Sequence, residues 1–269
     1  WIARDRFFLD PGHMSPMLYA VLALTGKYTI EELKGFRQWG SVTPGHPELH
    51  PERGVENTSG PLGQGHVMAV GCAIAERFLQ ARFGDWLTHK TYAFISDGGI
   101  QEEISQGAGR LAGYLGLSNL IMFYDSNDIQ LSTEANAVTT EDTAAKYRAW
   151  HWNVIEVDGT DPLAMAGAIE TAIEEKHRPT IIIGKTIMGR GAVTADGECF
   201  EAKCSTHGNP LSASGASYEK TMEHLGADPA DPFHIWDDVK ALYDARSEKL
   251  RAIVKERREA EKAWREANP

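Results

Sequence analysis

The stretch TYAFISDGG at 91–99, answered by LIMFYDSNDI at 120–129, decides the fold. In each, an apolar run (Tyr92, Ala93, Phe94, Ile95; then Leu120, Ile121, Met122, Phe123, Tyr124) ends in polar or glycine turn residues. Runs of that length bounded that way read as buried strands. Between them 102–115 reads as a helix, so the unit is strand, helix, strand. Such a crossover pairs its strands in parallel and brings both carboxyl ends to one edge of the sheet. Asp97 and Asn127, one at each strand end, therefore meet at the edge where open α/β sheets bind ligands.

Working outward, the same alternation continues. Strands at 91–96, 119–125, 154–157 and 180–185 are separated by helices at 102–115, 140–150 and 162–176, with Asp158-Gly159 and Arg178-Pro179 as punctuation. The expected fold is α/β, a doubly wound parallel sheet flanked by helices. The first ninety residues read as helices joined by loops, with glycine and proline gathered at Pro11-Gly12, Pro44-Gly45-His46-Pro47 and between Gly60 and Gly65. From Trp236 onward Val239, Leu242, Tyr243, Leu250, Ile253 and Val254 recur at helical spacing before the chain turns almost wholly charged. That division predicts one domain over 1–235 and a charged helical segment or linker over 236–269.

Composition narrows the class. A chain of 269 residues with 42% hydrophobic content can bury a sizeable core. The formal charge of -11 disfavours nucleic acid and anionic membrane as partners, so a phosphorylated ligand needs cations placed locally. Cys72, Cys199 and Cys204 cannot build a disulfide framework, and ten histidines without a secretory leader suit a reducing cytoplasm. No apolar run has transmembrane length. The opening Trp1-Ile2-Ala3 lacks an initiator methionine, which reads as a fragment of a longer protein.

Asp97 and Asn127 suggest chemistry as well as topology. Magnesium takes oxygen ligands and shares them with phosphates, and a carboxylate (Asp97), an amide oxygen (Asn127) and a backbone carbonyl (Ile129) suit it. Gly98 has no side chain to obstruct a diphosphate. The loop from Asn57 to Gly65 precedes a periodic helix carrying Val67, Val70, Ile74 and Phe78. Its main chain around Gly60, Pro61 and Leu62 is placed to grip a planar heterocycle. No Gly-x-Gly-x-x-Gly follows a first strand, so a dinucleotide fingerprint is absent. His13, His46 and His207 stand in loops beside glycine or proline and point to a shared cleft that moves protons or neutralises phosphate. Cys199, Cys204 and His207 imitate a zinc half-site, but the spacing is nonstandard and a fourth ligand is not evident. Taken singly, each turn has an ordinary structural explanation; their joint placement carries the argument.

Read together, the Gly45-His46-Pro47-Glu48 loop, the run from Thr58 to Gly65, Asp97-Gly98, Asn127 and His207-Gly208-Asn209-Pro210 resemble the transketolase family in order and spacing. The resemblance covers nearly the whole chain and implies the N-terminal, diphosphate-binding domain of a thiamine-diphosphate enzyme. It implies Asp97, Asn127 and the Ile129 carbonyl as ligands of Mg or Ca; Gly98, Asn127 and His13 at the diphosphate; Gly60 and Leu62, with Pro61 between them, at the aminopyrimidine; and His207 against both cofactor and sugar. It further implies His46 and His207 as catalytic, substrate-touching residues, and Glu102 as an interface residue linking two active sites across a homodimer. The implied reaction is two-carbon ketol transfer from xylulose 5-phosphate to ribose 5-phosphate in the cytoplasm. An activating glutamate and the cations for the sugar phosphate would come from a pyrimidine-binding domain of the other subunit, leaving this chain inactive alone. Ser96, Ser126 and Glu103 depart from the family's usual glycine, aspartate and glycine. Deoxyxylulose phosphate synthesis, an E1-like dehydrogenase component and a noncatalytic relic of the fold remain alternatives.

Overall fold

The computed structural model describes residues 1–268. Five strands form one sheet: β1 (Arg6–Leu9), β2 (Thr91–Ser96), β3 (Leu120–Ser126), β4 (Asn153–Asp158) and β5 (Thr180–Lys185). All pair in parallel, in the spatial order β1-β2-β3-β5-β4. The helices are α1 (Ser15–Leu24), α2 (Ile30–Lys34), α3 (Gln64–Phe83), α4 (Asp97–Gln101), α5 (Glu103–Tyr114), α6 (Thr143–Ala149), α7 (Pro162–Glu174), α8 (Leu211–Ser214), α9 (Tyr218–His224) and α10 (Asp237–Ala267).

Strand order dictates which face each helix covers. From β1 through β3 and on to β4 the chain advances across the sheet, so right-handed crossovers hold α3, α5 and α6 to one face. The step from β4 back to β5 reverses direction and sends α7 to the other. Side-chain alternation obeys the same division. Ala93, Ile95, Leu120, Met122 and Tyr124 pack with Ala69, Ala73, Ala108, Ala112 and Trp152, whereas Ile121 and Ile182 pack with Ala168 and Ala172 of α7.

One expectation needs correction. The opening segment is not purely helix and loop: Phe7 and Phe8 lie in β1, which borders β2. Four residues are too few to display a period, and only the neighbouring strand defines them. The helix expected over 102–115 is α5, and it is preceded by a second, short helix α4, from which it is separated by Glu102 in extended conformation (φ -63, ψ 133). Ser96 caps the first, its Oγ accepting from the Gly99 N–H at 3.4 Å. Hence the departure from glycine at 96 has a local use. Glu103 opens α5 at ordinary negative φ, where its charge suits a helix start. The segment from 236 does form the expected long helix, but its last turns dock: Trp264 meets Phe83 and Trp86 at 5.7 and 6.1 Å between ring centroids, and Glu261 accepts from Trp1 Nε1 at 3.0 Å.

Candidate active site

The carboxyl ends of the strands open onto a cleft of about 1230 Å³ lined by His13, His46, Gly60, Leu62, Asp97, Gly98, Glu102, Asn127, Ile129 and His207. Residues drawn from separate parts of the chain therefore share one space. Pro61 does not line it; its side chain is exposed. Glu102 is exposed at the break between α4 and α5.

Asp97 is only 3% exposed and has its carboxylate fully oriented. Oδ1 accepts from the Tyr124 hydroxyl at 2.6 Å, and Oδ2 accepts from the backbone N–H groups of Asn127 and Asp128, both at 3.1 Å. The β2 end is thus tied to the β3 end through one side chain. Burial raises the Asp97 pKa, against the lowering effect of its hydrogen bonds. Three accepted bonds leave lone-pair capacity on an ionised carboxylate. Asn127 accepts from the Ile129 N–H through its Oδ1 at 3.0 Å, which folds the segment back so that Asn127 and Ile129 face the same cleft. A carboxylate, an amide oxygen and a main-chain carbonyl are oxygen donors of the kind that a hard cation takes.

A Cβ built on Gly98 would lie 2.8 Å from Leu62 Cδ1, so the α4 start and the Gly60–Gly65 loop approach as closely as a glycine permits. That loop is held by a residue the sequence reading did not single out. Asp10, 1% exposed, follows β1 and accepts from the N–H groups of Gly63 at 3.0 Å and Gly65 at 2.8 Å. Burial raises its pKa, while these backbone bonds oppose the shift. The available signal was the polar Asp10-Pro11-Gly12 after Phe7-Phe8-Leu9, the same apolar-run-then-turn pattern that identified Asp97.

His13 and His207 lie against each other, with ring centroids 4.6 Å apart and planes tilted by 34°. Burial, then the nearby charges of His207, His46 and Arg37, push His13 down to about 4. Burial likewise lowers His207, whose Nδ1 is buried without a hydrogen-bond partner. An orphaned ring nitrogen at a cleft wall marks a position for a polar ligand atom. Among the described residues no group of three His, Cys, Asp or Glu side chains converges as a metal cluster, which removes the zinc half-site of Cys199, Cys204 and His207.

Comparison with known proteins agrees with this geometry. The chain matches over residues 1–269 the family model described as transketolase, thiamine diphosphate binding domain. It is 46% identical over 252 residues to transketolase 2 of Xanthobacter flavus, covering 91% of this chain and 36% of that protein. It is 43% identical over 275 residues to transketolase 2 of Escherichia coli K12, covering 100% and 40%. Among solved structures, a transketolase from Leishmania mexicana superposes with TM-score 0.90 at 35% identity, covering all of this chain and 40% of that one. A Pichia stipitis transketolase in complex with sedoheptulose 7-phosphate gives TM-score 0.91 at 34% identity, with the same coverage. The chain thus spans about two fifths of the length of the relatives it matches. With the parallel sheet, the cleft at its strand ends and 43–46% identity to named relatives, this chain belongs to the transketolase family as its thiamine diphosphate-binding domain.

Proposed function

We propose that this chain is the diphosphate-binding half of a cytoplasmic transketolase, moving a two-carbon ketol unit from xylulose 5-phosphate to ribose 5-phosphate. The observation that carries the reading is the Asp97 carboxylate, oriented by three hydrogen bonds at the strand edge beside Asn127 and Ile129. Asp97, Asn127 Oδ1 and the Ile129 carbonyl would hold Mg or Ca, which takes oxygen donors and shares them with phosphates. Gly98 would leave room for the diphosphate, His13 would contact it, and His207 would touch both the cofactor and the sugar. Gly60 and Leu62 bracket the heterocycle, with Pro61 shaping their turn. Bound there, thiamine diphosphate supplies the carbon nucleophile and electron sink needed to break a carbon–carbon bond beside a carbonyl.

This chain's histidines handle protons. His207 is kept neutral near pH 7 by burial, so its ring can donate a hydrogen bond at one nitrogen and accept a proton at the other. His46 lines the same cleft and would take the proton of a substrate hydroxyl as charge develops on its oxygen.

The partner subunit is the second requirement. On α3 and α5, which pack side by side, Met68, Ile74, Phe78, Ile104, Leu111 and Tyr114 are exposed, Tyr114 at 84%. An apolar face of that extent suits a homodimer interface, with Glu102 at its edge reaching toward the second site. No described helix is long and apolar enough to cross a membrane. The test is Asp97→Asn, titrated with thiamine diphosphate and Mg by calorimetry and assayed for ketol transfer in the complete enzyme. Loss of Mg-dependent binding and turnover is expected; unchanged binding would sink the assignment.

A further inference from the structure

The buried Asp10 touches both halves of the candidate coenzyme site. Its N–H donates to the Phe94 carbonyl at 3.0 Å, which fixes the end of β1 against β2. Its carboxylate accepts from the Gly63 N–H through Oδ2 and from the Gly65 N–H through Oδ1. Oδ2 also abuts the first turn of α4, where a Cβ built on Gly99 would overlap it. Gly99 follows Gly98 directly and lies two residues beyond Asp97. One buried side chain thus stands between the glycine loop and the turn that begins with Asp97.

The other end of the loop is pinned one residue earlier. The Leu9 N–H donates to Asn57 Oδ1 at 3.2 Å, and the Leu9 carbonyl accepts from Asn57 Nδ2 at 3.1 Å and from Ser59 Oγ. Asn57 and Ser59 are both buried. Leu9 therefore holds the start of the loop and Asp10 its end, and Gly60, Pro61 and Leu62 span the gap between the anchors. Gly65 meets the same strand end so closely that an added Cβ would come within 2.7 Å of Asp10 Cα. A ligand whose two ends are joined gains affinity from both only when its two subsites are held at a matching separation. Holding a loop in place before binding also removes the cost of ordering it.

We infer that Asp10 is a positioning residue that sets the separation between the Gly60–Leu62 loop and the Asp97–Gly98 turn, so that heterocycle and diphosphate of one coenzyme molecule are bound at once. The inference rests on the proposed coenzyme site. Asp10→Asn is nearly isosteric and keeps one acceptor, but it sets an amide donor against one of the two loop N–H groups. In the complete enzyme with saturating Mg, calorimetry is expected to show the Kd of thiamine diphosphate raised about tenfold or more. The Kd of inorganic pyrophosphate, which fills the diphosphate end alone, should change less than about twofold. A merely structural role would lower the urea midpoint and leave the ratio of the two Kd values unchanged. Leu62→Ala supplies a second arm, since in that background Asp10→Asn should add little further weakening. Should the asparagine variant not accumulate folded, Asp10→Ser, whose hydroxyl can turn to accept from one loop N–H, should give a Kd for thiamine diphosphate between those of the parent and the Leu62→Ala enzyme. An unchanged Kd for thiamine diphosphate, an equal loss of pyrophosphate affinity, or full additivity with Leu62→Ala would each overturn the inference. Failure of the unsubstituted enzyme to bind thiamine diphosphate would instead remove the reading beneath it.

Discussion

At the scale of single residues, the buried polar groups under the cleft have separable duties. Asp10 satisfies two main-chain donors of the Gly60–Gly65 loop. Replacing it with alanine strands both in a buried setting, at a cost of about 2–4 kcal/mol, while Asp10→Asn, which can still accept, costs less. Urea unfolding of the two variants should rank them in that order. His66 lies in the first turn of α3, wholly buried, with Nδ1 and Ser105 Oγ 2.6 Å apart and Nε2 without a partner. Burial pushes its pKa down to about 4 from an ordinary 6.5. The unfolded chain therefore binds the proton more readily between those values, and this contribution is full above pH 6.5 and lost as pH falls toward 4. A shift of that size corresponds to about 3 kcal/mol. His66→Gln should flatten the fall in unfolding free energy between pH 7 and 4.5 relative to the parent chain; an identical slope would rule His66 out as its source.

At the scale of elements, the break between α4 and α5 matters most for the site. It lets the chain turn Asp97 inward at the end of β2 and still send α5 along the sheet. Ser96 supports that turn, and Ser96→Gly is expected to cost no more than about 1 kcal/mol, read from the urea midpoint, since glycine is itself an acceptable cap. Glu103→Gly tests whether the family's glycine is structurally required here. Because Glu103 has ordinary helical geometry, the change should lower stability by about 0.5–1 kcal/mol rather than raise it. Strands β2, β3, β4 and β5 and the Asp97 and Asn127 turns were legible in the sequence because long apolar runs ended by turn residues have few other solutions. β1 and the α4–α5 break were not. A four-residue strand shows no period, and the extended conformation at Glu102 follows from the packing of Gly63 against Glu102 and Ile104, where added atoms at Gly63 would come within 2.9 Å.

At the scale of the molecule, the exposed stripe on α3 and α5 and the docking of α10 make independent predictions. Leu111→Glu places a charge in the stripe and should convert a dimer to monomer in sedimentation equilibrium, with little change in the monomer's own stability because Leu111 is already exposed. Trp264→Ala removes the two ring contacts that seat the end of α10, at a cost of about 2 kcal/mol to local docking. Hydrogen exchange should quicken in α10 while thiamine diphosphate affinity stays unchanged. Over the whole chain, the sequence by itself determined the parallel α/β class and the meeting of Asp97 with Asn127, because strand-helix-strand connectivity admits one pairing and one hand. Only the tertiary structure decided that Asp10 ties down the glycine loop and that His13 and His207 lie against each other. Asp10 lies 53 and 55 positions from its partners and His13 lies 194 from His207, and local residue preferences carry no record of pairings at that distance.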